Sequence, residues 1–234
     1  MTELTVSRNE PSRPYPGSPV RLQVPEASGA VGLADDRFHR LLGREAWATL
    51  PDSVRRRFSK HLAPGEVRRF VGEVTETTLS RAGRILARLG RLAGGPLPDT
   101  DGAIGPATVI VTEDAGLGGQ VWTRTYARPG GFPQTINSVK RFRGPTGLEE
   151  YLGYGLVMRL TLHAEAGALV FRSSGYDLDV LGRRLALPRW LTPGRCTIIH
   201  LAEGGDRFSF TLALDHPRLG RLVRQVATFE EVAA

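Results

Sequence analysis

Cys196 and His200 stand four residues apart in Arg195-Cys196-Thr197-Ile198-Ile199-His200. On a strand both would project from one face, and a thiol beside an imidazole is the pairing of a cysteine nucleophile with its base. Four strand residues span about 13 Å, beyond hydrogen-bond reach, so Cys196 reads as a small buried residue instead. Asp177 and Asp179 also share a face, and paired carboxylates can hold a metal or act as acid and base. No histidine or further carboxylate lies near them in sequence, and a solvated strand face is expected. Trp122, Arg124 and Tyr126 alternate along one strand. If Trp122 turns inward it carries Arg124 with it, and a buried guanidinium requires a carboxylate or a bound anion. Glu150 is a structural partner for it. The alternative is the acidic head of a ligand whose apolar body lies along the sheet.

Other patterns carry less. Gly116-Leu117-Gly118-Gly119 follows a strand, but Gln120 to Thr125 is β-like after it. A phosphate loop needs a helix N-terminus there, so this is expected to be a hairpin turn. The five histidines form no HxH or HxxxH pair. No catalytic residue, cofactor or metal site is assigned.

The elements that must position these residues are mostly strands. In Leu156 to Glu165, Leu156, Met158, Leu160, Leu162 and Ala164 fall on one face, with Arg159, Thr161, His163 and Glu165 on the other. One dry and one wet face describe an antiparallel sheet. Similar patterns run over 66–78, 107–113, 121–127, 135–143, 155–165, 168–173, 197–202, 207–214 and 222–229. Glu203-Gly204-Gly205-Asp206 supplies a hairpin signal. The inward set would include Met158, Leu160, Leu162, Leu169, Phe171, Phe208, Phe210, Leu212 and Leu214, as a filled core or the wall of a pocket. Leu185 to Arg195 is irregular. Its Trp190 is expected to pack over the end of the core, with flanking prolines that favour rigidity over gating.

Residues 1–33 carry prolines at 11, 14, 16, 19 and 25 and no apolar periodicity, which predicts a flexible tail before a single domain over 34–234. Short helices are expected at Arg37 to Leu42, capped by Asp35-Asp36, and after Pro51-Asp52. The strongest helix pattern is Leu79 to Ala93. Leu79, Ala82, Leu86, Leu89 and Ala93 follow one face, and Arg81, Arg84, Arg88 and Arg91 form a basic stripe. That stripe is either a solvated outer face or a contact for an anionic membrane surface.

A formal net charge of +7 favours anionic partners, although only Lys60 and Lys140 of the 31 basic residues are lysines, an arginine bias that composition alone can produce. No helix-turn-helix, zinc-finger or aromatic RNA-binding pattern is present, so nucleic acid is not an expected partner. The start MTELTVSRNE has no basic and apolar leader pattern, no apolar run approaches ~20 residues, and there is one cysteine. Together these predict a cytoplasmic protein without disulfides.

Several pieces in order resemble one family. They are Phe38-His39-Arg40-Leu41-Leu42-Gly43 with Leu50-Pro51, Trp122-Thr123-Arg124 after the glycine loop, Ser138, and Glu150 before Gly153. Leu187-Pro188-Arg189-Trp190-Leu191-Thr192-Pro193 and Pro217-Arg218-Leu219-Gly220 complete the set. Together they are similar to the bacterial family catalogued as domain of unknown function 4166, over roughly residues 36 to 230. The resemblance implies bacterial cytoplasmic proteins, sometimes joined to a nucleotide-binding oxidoreductase domain, and implies no activity. The last strand departs from the pattern, with Gln225-Val226-Ala227-Thr228-Phe229 in place of an aromatic followed by glycine.

The fold expected is α+β: a strongly curved antiparallel sheet or open barrel with N-terminal helices packed across it. The function expected is non-enzymatic binding of an apolar or lipid-like small molecule, with or without an acidic group. Its contacts would come from Arg124, Trp122, Tyr126, Met158, Leu160, Phe171 and Phe210. One alternative is an accessory domain docking onto a nucleotide-dependent oxidoreductase. A weaker one is an enzyme using Asp177, Asp179 or His200.

Overall fold

Alternating burial along the strands is answered by a sheet that curls until its edges meet. The computed structural model describes residues 35–98, 103–128 and 130–232; the tail expected over residues 1–33 lies outside them. The strands are β1 (Val67–Leu79), β2 (Gly105–Asp114), β3 (Gly119–Tyr126), β4 (Gln134–Arg141), β5 (Glu149–Gly153), β6 (Leu156–Glu165), β7 (Ala168–Val180), β8 (Arg183–Ala186), β9 (Arg195–Gly204), β10 (Arg207–His216) and β11 (Gly220–Val232). All pairings are antiparallel. The order β6-β5-β4-β3-β2-β1-β11-β10-β9-β7 returns on itself because β6 also pairs with β7. The expectation of an open sheet is therefore corrected to a closed ten-stranded barrel, with β8 as an added strand.

Closure depends on β7, which runs well past its expected end at Ser173. Along Ala168–Arg172 it pairs with β6 on one edge and β9 on the other. Beyond Arg172 it parts from β9 and takes β8 on that edge instead, from Asp177↔Ala186 to Val180↔Arg183. The glycine loop is the expected turn joining β2 to β3. The β9–β10 hairpin turns through Gly204 and Gly205 at φ +98° and +57°, a backbone region that costs glycine little.

Helices are few, and they do not lie across a sheet face. A closed barrel offers no open inner face to receive them; its two ends are what remain to be covered. Three short helices, α1 (Arg37–Leu42), α2 (Arg44–Ala48) and α3 (Asp52–Phe58), serve one end. The Phe38 and Phe58 rings meet at 5.2 Å and reach Phe171 at 6.1 and 5.8 Å, all three buried. The fourth helix, α4 (Arg81–Gly90), follows β1 and continues as a 3₁₀ turn over Arg91–Ala93. Ser80 caps it, its hydroxyl accepting from the Gly83 N–H.

The face α4 buries also differs from expectation. Gly83 and Ala87 are buried and Leu86 packs partly against the core, whereas Leu89 is 61% exposed. A Cβ on Gly83 would stand 2.0 Å from the Leu222 carbonyl oxygen. The line of closest approach therefore runs through Gly83 and Ala87, rotating Leu89 outward. Trp190, expected over the core, is 79% exposed. Among the described residues no helix is long and apolar enough to cross a membrane.

Candidate functional site

Alternation sends Trp122, Arg124 and Tyr126 of β3 and Ile136, Ser138 and Lys140 of β4 to the inside of the barrel. The register places Trp122 opposite Ser138 and Lys140 opposite Glu150 of β5. Arg124 is thus diagonal to Ser138, within reach of a long side chain. Its Nη2 donates to Ser138 Oγ at 2.5 Å and to Glu150 Oε1 at 3.0 Å. Ser138 donates to the same Oε1 at 2.6 Å, and Lys140 Nζ donates to Oε2 at 3.2 Å. The expected structural pairing of Arg124 with Glu150 is present, and Lys140 joins it.

This cluster places two cations against one carboxylate, all buried. Burial by itself would raise the Glu150 carboxyl; the charges of Lys140 and Arg124 and the Ser138 hydrogen bond outweigh it and hold it down at about 2. Burial lowers Lys140, and Arg124 as a like charge adds to that against the pull of Glu150. Lys140 also stands over Trp122 at 4.7 Å and Phe171 at 5.4 Å, which returns part of its lost hydration. Nε and Nη1 of Arg124 take no protein acceptor among the described residues and are not sealed from a solvent-sized contact.

Beside this cluster lies a cavity of about 370 Å³. Arg124, Ser138 and Glu150 supply a polar patch, and Met158, Ile198, Phe210, Leu212 and Leu214 form much of its apolar wall. Ala82, Leu86 and Gly90 of α4 close one side. Leu187, Leu191, Thr192 and Pro193 border it where β7 and β9 part, and Leu219 completes the rim from the β10–β11 turn. Its size falls within the ~300–1,000 Å³ usual for small-molecule sites, and so does its character, apolar with few polar groups. A second cavity of similar volume, bordered by Lys60, Glu66, Arg68, Asp206 and Glu231, is a charged groove at the opposite end. Arg68 and Lys60 already pair there with Glu231.

Of the residues expected to touch ligand, Arg124, Met158 and Phe210 line the large cavity. Trp122 and Tyr126 face a smaller void of about 20 Å³, with Arg124 and Phe210 on the wall between. Leu160 and Phe171 are fully buried packing residues. The arginine stripe is divided: Arg81, Arg88 and Arg91 are exposed, and Arg84 is half-buried, donating to the Leu79 carbonyl. Lys140, Tyr176, Cys196 and the covering role of α4 were not anticipated. The available signal for Lys140 was its i, i+2, i+4 spacing with Ile136 and Ser138.

The expected acid–base candidates are not assembled. Asp177 is buried 3.6 Å from Arg159, and Asp179 pairs with Arg184 at 2.9 Å. Arg184 also bonds Glu149, whose side chain points away from that of its neighbour Glu150. Leu169 pairs with His200, so Asp177 lies eight residues, about 26 Å, along β7 from that level. His200 is enclosed by Phe58, Trp122, Phe171, Phe208 and Phe210. Burial first, and then the charges of Arg57 and Lys140, push its pKa well below 6.5. Its Nδ1 and the Trp122 Nε1 are buried without a protein hydrogen bond. Cys196 lines the cavity, but burial pushes its thiol up to about 12, opposite to what a nucleophile requires. Among the described residues no cluster of side chains is arranged to hold a metal ion.

These features define a closed antiparallel barrel with a capped, largely apolar cavity and a buried ion cluster at its wall. The family described as Domain of unknown function (DUF4166) matches residues 50–229, more than half of the chain, and the chain belongs to it. No curated protein and no solved structure matches the chain.

Proposed function

We propose that the protein binds one apolar small molecule with an acidic head, held in the cavity beneath α4. The observation that carries this reading is the surplus cation: Arg124 and Lys140 share the single carboxylate of Glu150 at the edge of an otherwise apolar cavity. A buried excess charge is costly, and an anionic head group beside the open side of Arg124 would balance it. Arginine is suited to this because it stays ionised and carries its donors in a fixed planar fork. The apolar body would then lie against Met158, Ile198, Phe210 and Leu212, where burial is worth roughly 25 cal/mol per Å². Function here is retention, with no chemical step.

Arg124→Met tests the assignment, because it leaves Lys140 and Glu150 as a matched pair. Titration with anilinonaphthalene sulfonate, an anionic apolar dye, should show saturable one-site binding to the native protein. The variant should bind the dye at least ~10-fold more weakly, the scale of one charge-assisted hydrogen bond. Its melting temperature should stay close to native. Unfolding of the variant, or equal affinity for the dye, would assign Arg124 to structure alone.

A further inference from the structure

Six exposed apolar side chains stand around the mouth of the cavity. On the outer side of α4, Ile85 and Leu89 are 59% and 61% exposed, and Leu92 in the following turn is 81% exposed. Across the opening stand Trp190 and Leu191 of the 187–194 segment and Leu219 of the β10–β11 turn, each more than half exposed. Leu191 and Leu219 line the cavity as well, so the exposed set and the pocket wall are continuous. Scattered apolar residues need no explanation, but a contiguous group at the rim of a binding site does.

Arginine lies at both ends, and what sets the mouth apart is the apolar surface beside it. At the α1–α3 end Arg40 meets Asp36, Arg55 meets Asp52, Arg68 meets Glu231 and Arg37 meets Glu113, while Arg44, Arg56, Arg69 and Arg207 are exposed without an ion pair among the described residues. Around the mouth, Arg81, Arg88, Arg189 and Arg218 are exposed and form no ion pair among the described residues. The nearby carboxylates Asp215 and Asp179 are already held by Arg221 and Arg184. On α4, Arg81 and Arg88 lie within about 60° of Ile85 at 100° per residue, so arginine flanks the apolar strip instead of opposing it. An aliphatic strip edged by arginine suits the boundary between acyl chains and anionic head groups.

We infer that the α4 end of the barrel docks onto an anionic phospholipid bilayer, with Ile85, Leu89, Leu92 and Trp190 entering the interface and the cavity mouth facing the lipid. This deepens the cavity reading, on which it rests for its purpose: an apolar ligand would pass between membrane and pocket without crossing water. The chain contains its own reporter. Trp47 and Trp122 are buried, so Trp190 is the tryptophan whose surroundings docking would change.

The test mixes the whole 234-residue chain with vesicles of phosphatidylcholine alone, or of phosphatidylcholine with phosphatidylglycerol, some carrying brominated acyl chains. The expected result is a blue shift and bromine quenching with phosphatidylglycerol vesicles only, weakened by salt and absent in Trp190→Phe. Cosedimentation of Leu89→Glu should fall by on the order of tenfold, with an unchanged circular dichroism spectrum because Leu89 is outside the core. Arg81→Gln and Arg88→Gln should each lower binding by about fivefold. No binding to either vesicle, equal binding to both, or native-like binding by Leu89→Glu would overturn the inference. The pocket is judged separately on the same preparation. An organic-extractable adduct without vesicle binding removes the docking surface and leaves the pocket; vesicle binding without adduct does the reverse.

Discussion

Glu150→Gln should be among the most damaging single substitutions in the barrel. Glu150 is 2% exposed and is the shared counter-charge of Arg124 at 3.0 Å and Lys140 at 3.2 Å. Glutamine keeps the volume and one acceptor for Ser138 but removes the negative charge, leaving two cations inside with none. Breaking a buried pair by removing one partner typically costs about 3–5 kcal/mol. In a domain of this size each kcal/mol moves the melting temperature by about 2–4 °C, so the expected fall is roughly 6–20 °C by differential scanning fluorimetry. Adding Lys140→Met should recover a large part of the loss, because the double variant returns to the native surplus of one cation. Urea unfolding of both single variants and the double would measure the coupling, expected at about 1–3 kcal/mol. A Glu150→Gln loss below about 1 kcal/mol, or strictly additive losses, would refute the charge argument.

Acid should destabilise the protein in two steps. His200 is held neutral with its pKa lowered, so the unfolded chain takes up a proton that the folded one refuses, and stability falls as pH drops below 6.5. Glu150 is held ionised, and its contribution is complete above 4.5 and lost as pH falls toward about 2. Unfolding midpoints across pH should show the upper step vanish in His200→Phe while the lower remains; an unchanged upper step would contradict the assignment. Gly83→Ala would add ~1 kcal/mol of helix propensity in isolation, but its Cβ would meet the Leu222 carbonyl. Net destabilisation by thermal melting is expected, and a stabilised variant would show that α4 is free to move. Cys196 should resist iodoacetamide at pH 8 until denaturant is added, since its thiol is buried and pushed up to about 12. Rapid stoichiometric alkylation of the native protein, read by intact mass, would contradict that.

The sheet was legible because its residues alternate. Leu156 to Glu165, the glycine turn before β3 and the Gly204-Gly205 hairpin all lie where period and turn chemistry place them. Closure was not legible, because it depends on which edges meet, and strand periodicity does not encode its partner. β5 is only five residues long and β8 four, and the latter is exposed throughout, so neither shows a dry face to detect. The outward turn of Leu89 is set by Gly83 against the Leu222 backbone, a contact between positions 139 residues apart. At the site, Arg124 could be chosen because Trp122 drew it inward, and Glu150 was an evident partner. Lys140 was not singled out because an isolated lysine in an alternating strand looks like a solvated one. Only the β4–β5 register shows that it faces Glu150.

The most direct test of the cavity reading is native mass spectrometry of the freshly purified chain, followed by organic extraction and mass analysis of what is released. The native protein should carry a one-to-one adduct of an apolar acid, lost from Arg124→Met and from a cavity-filling Leu212→Trp that still folds. A bare mass, unchanged after incubation with long-chain fatty acids and anionic amphiphiles, would contradict it.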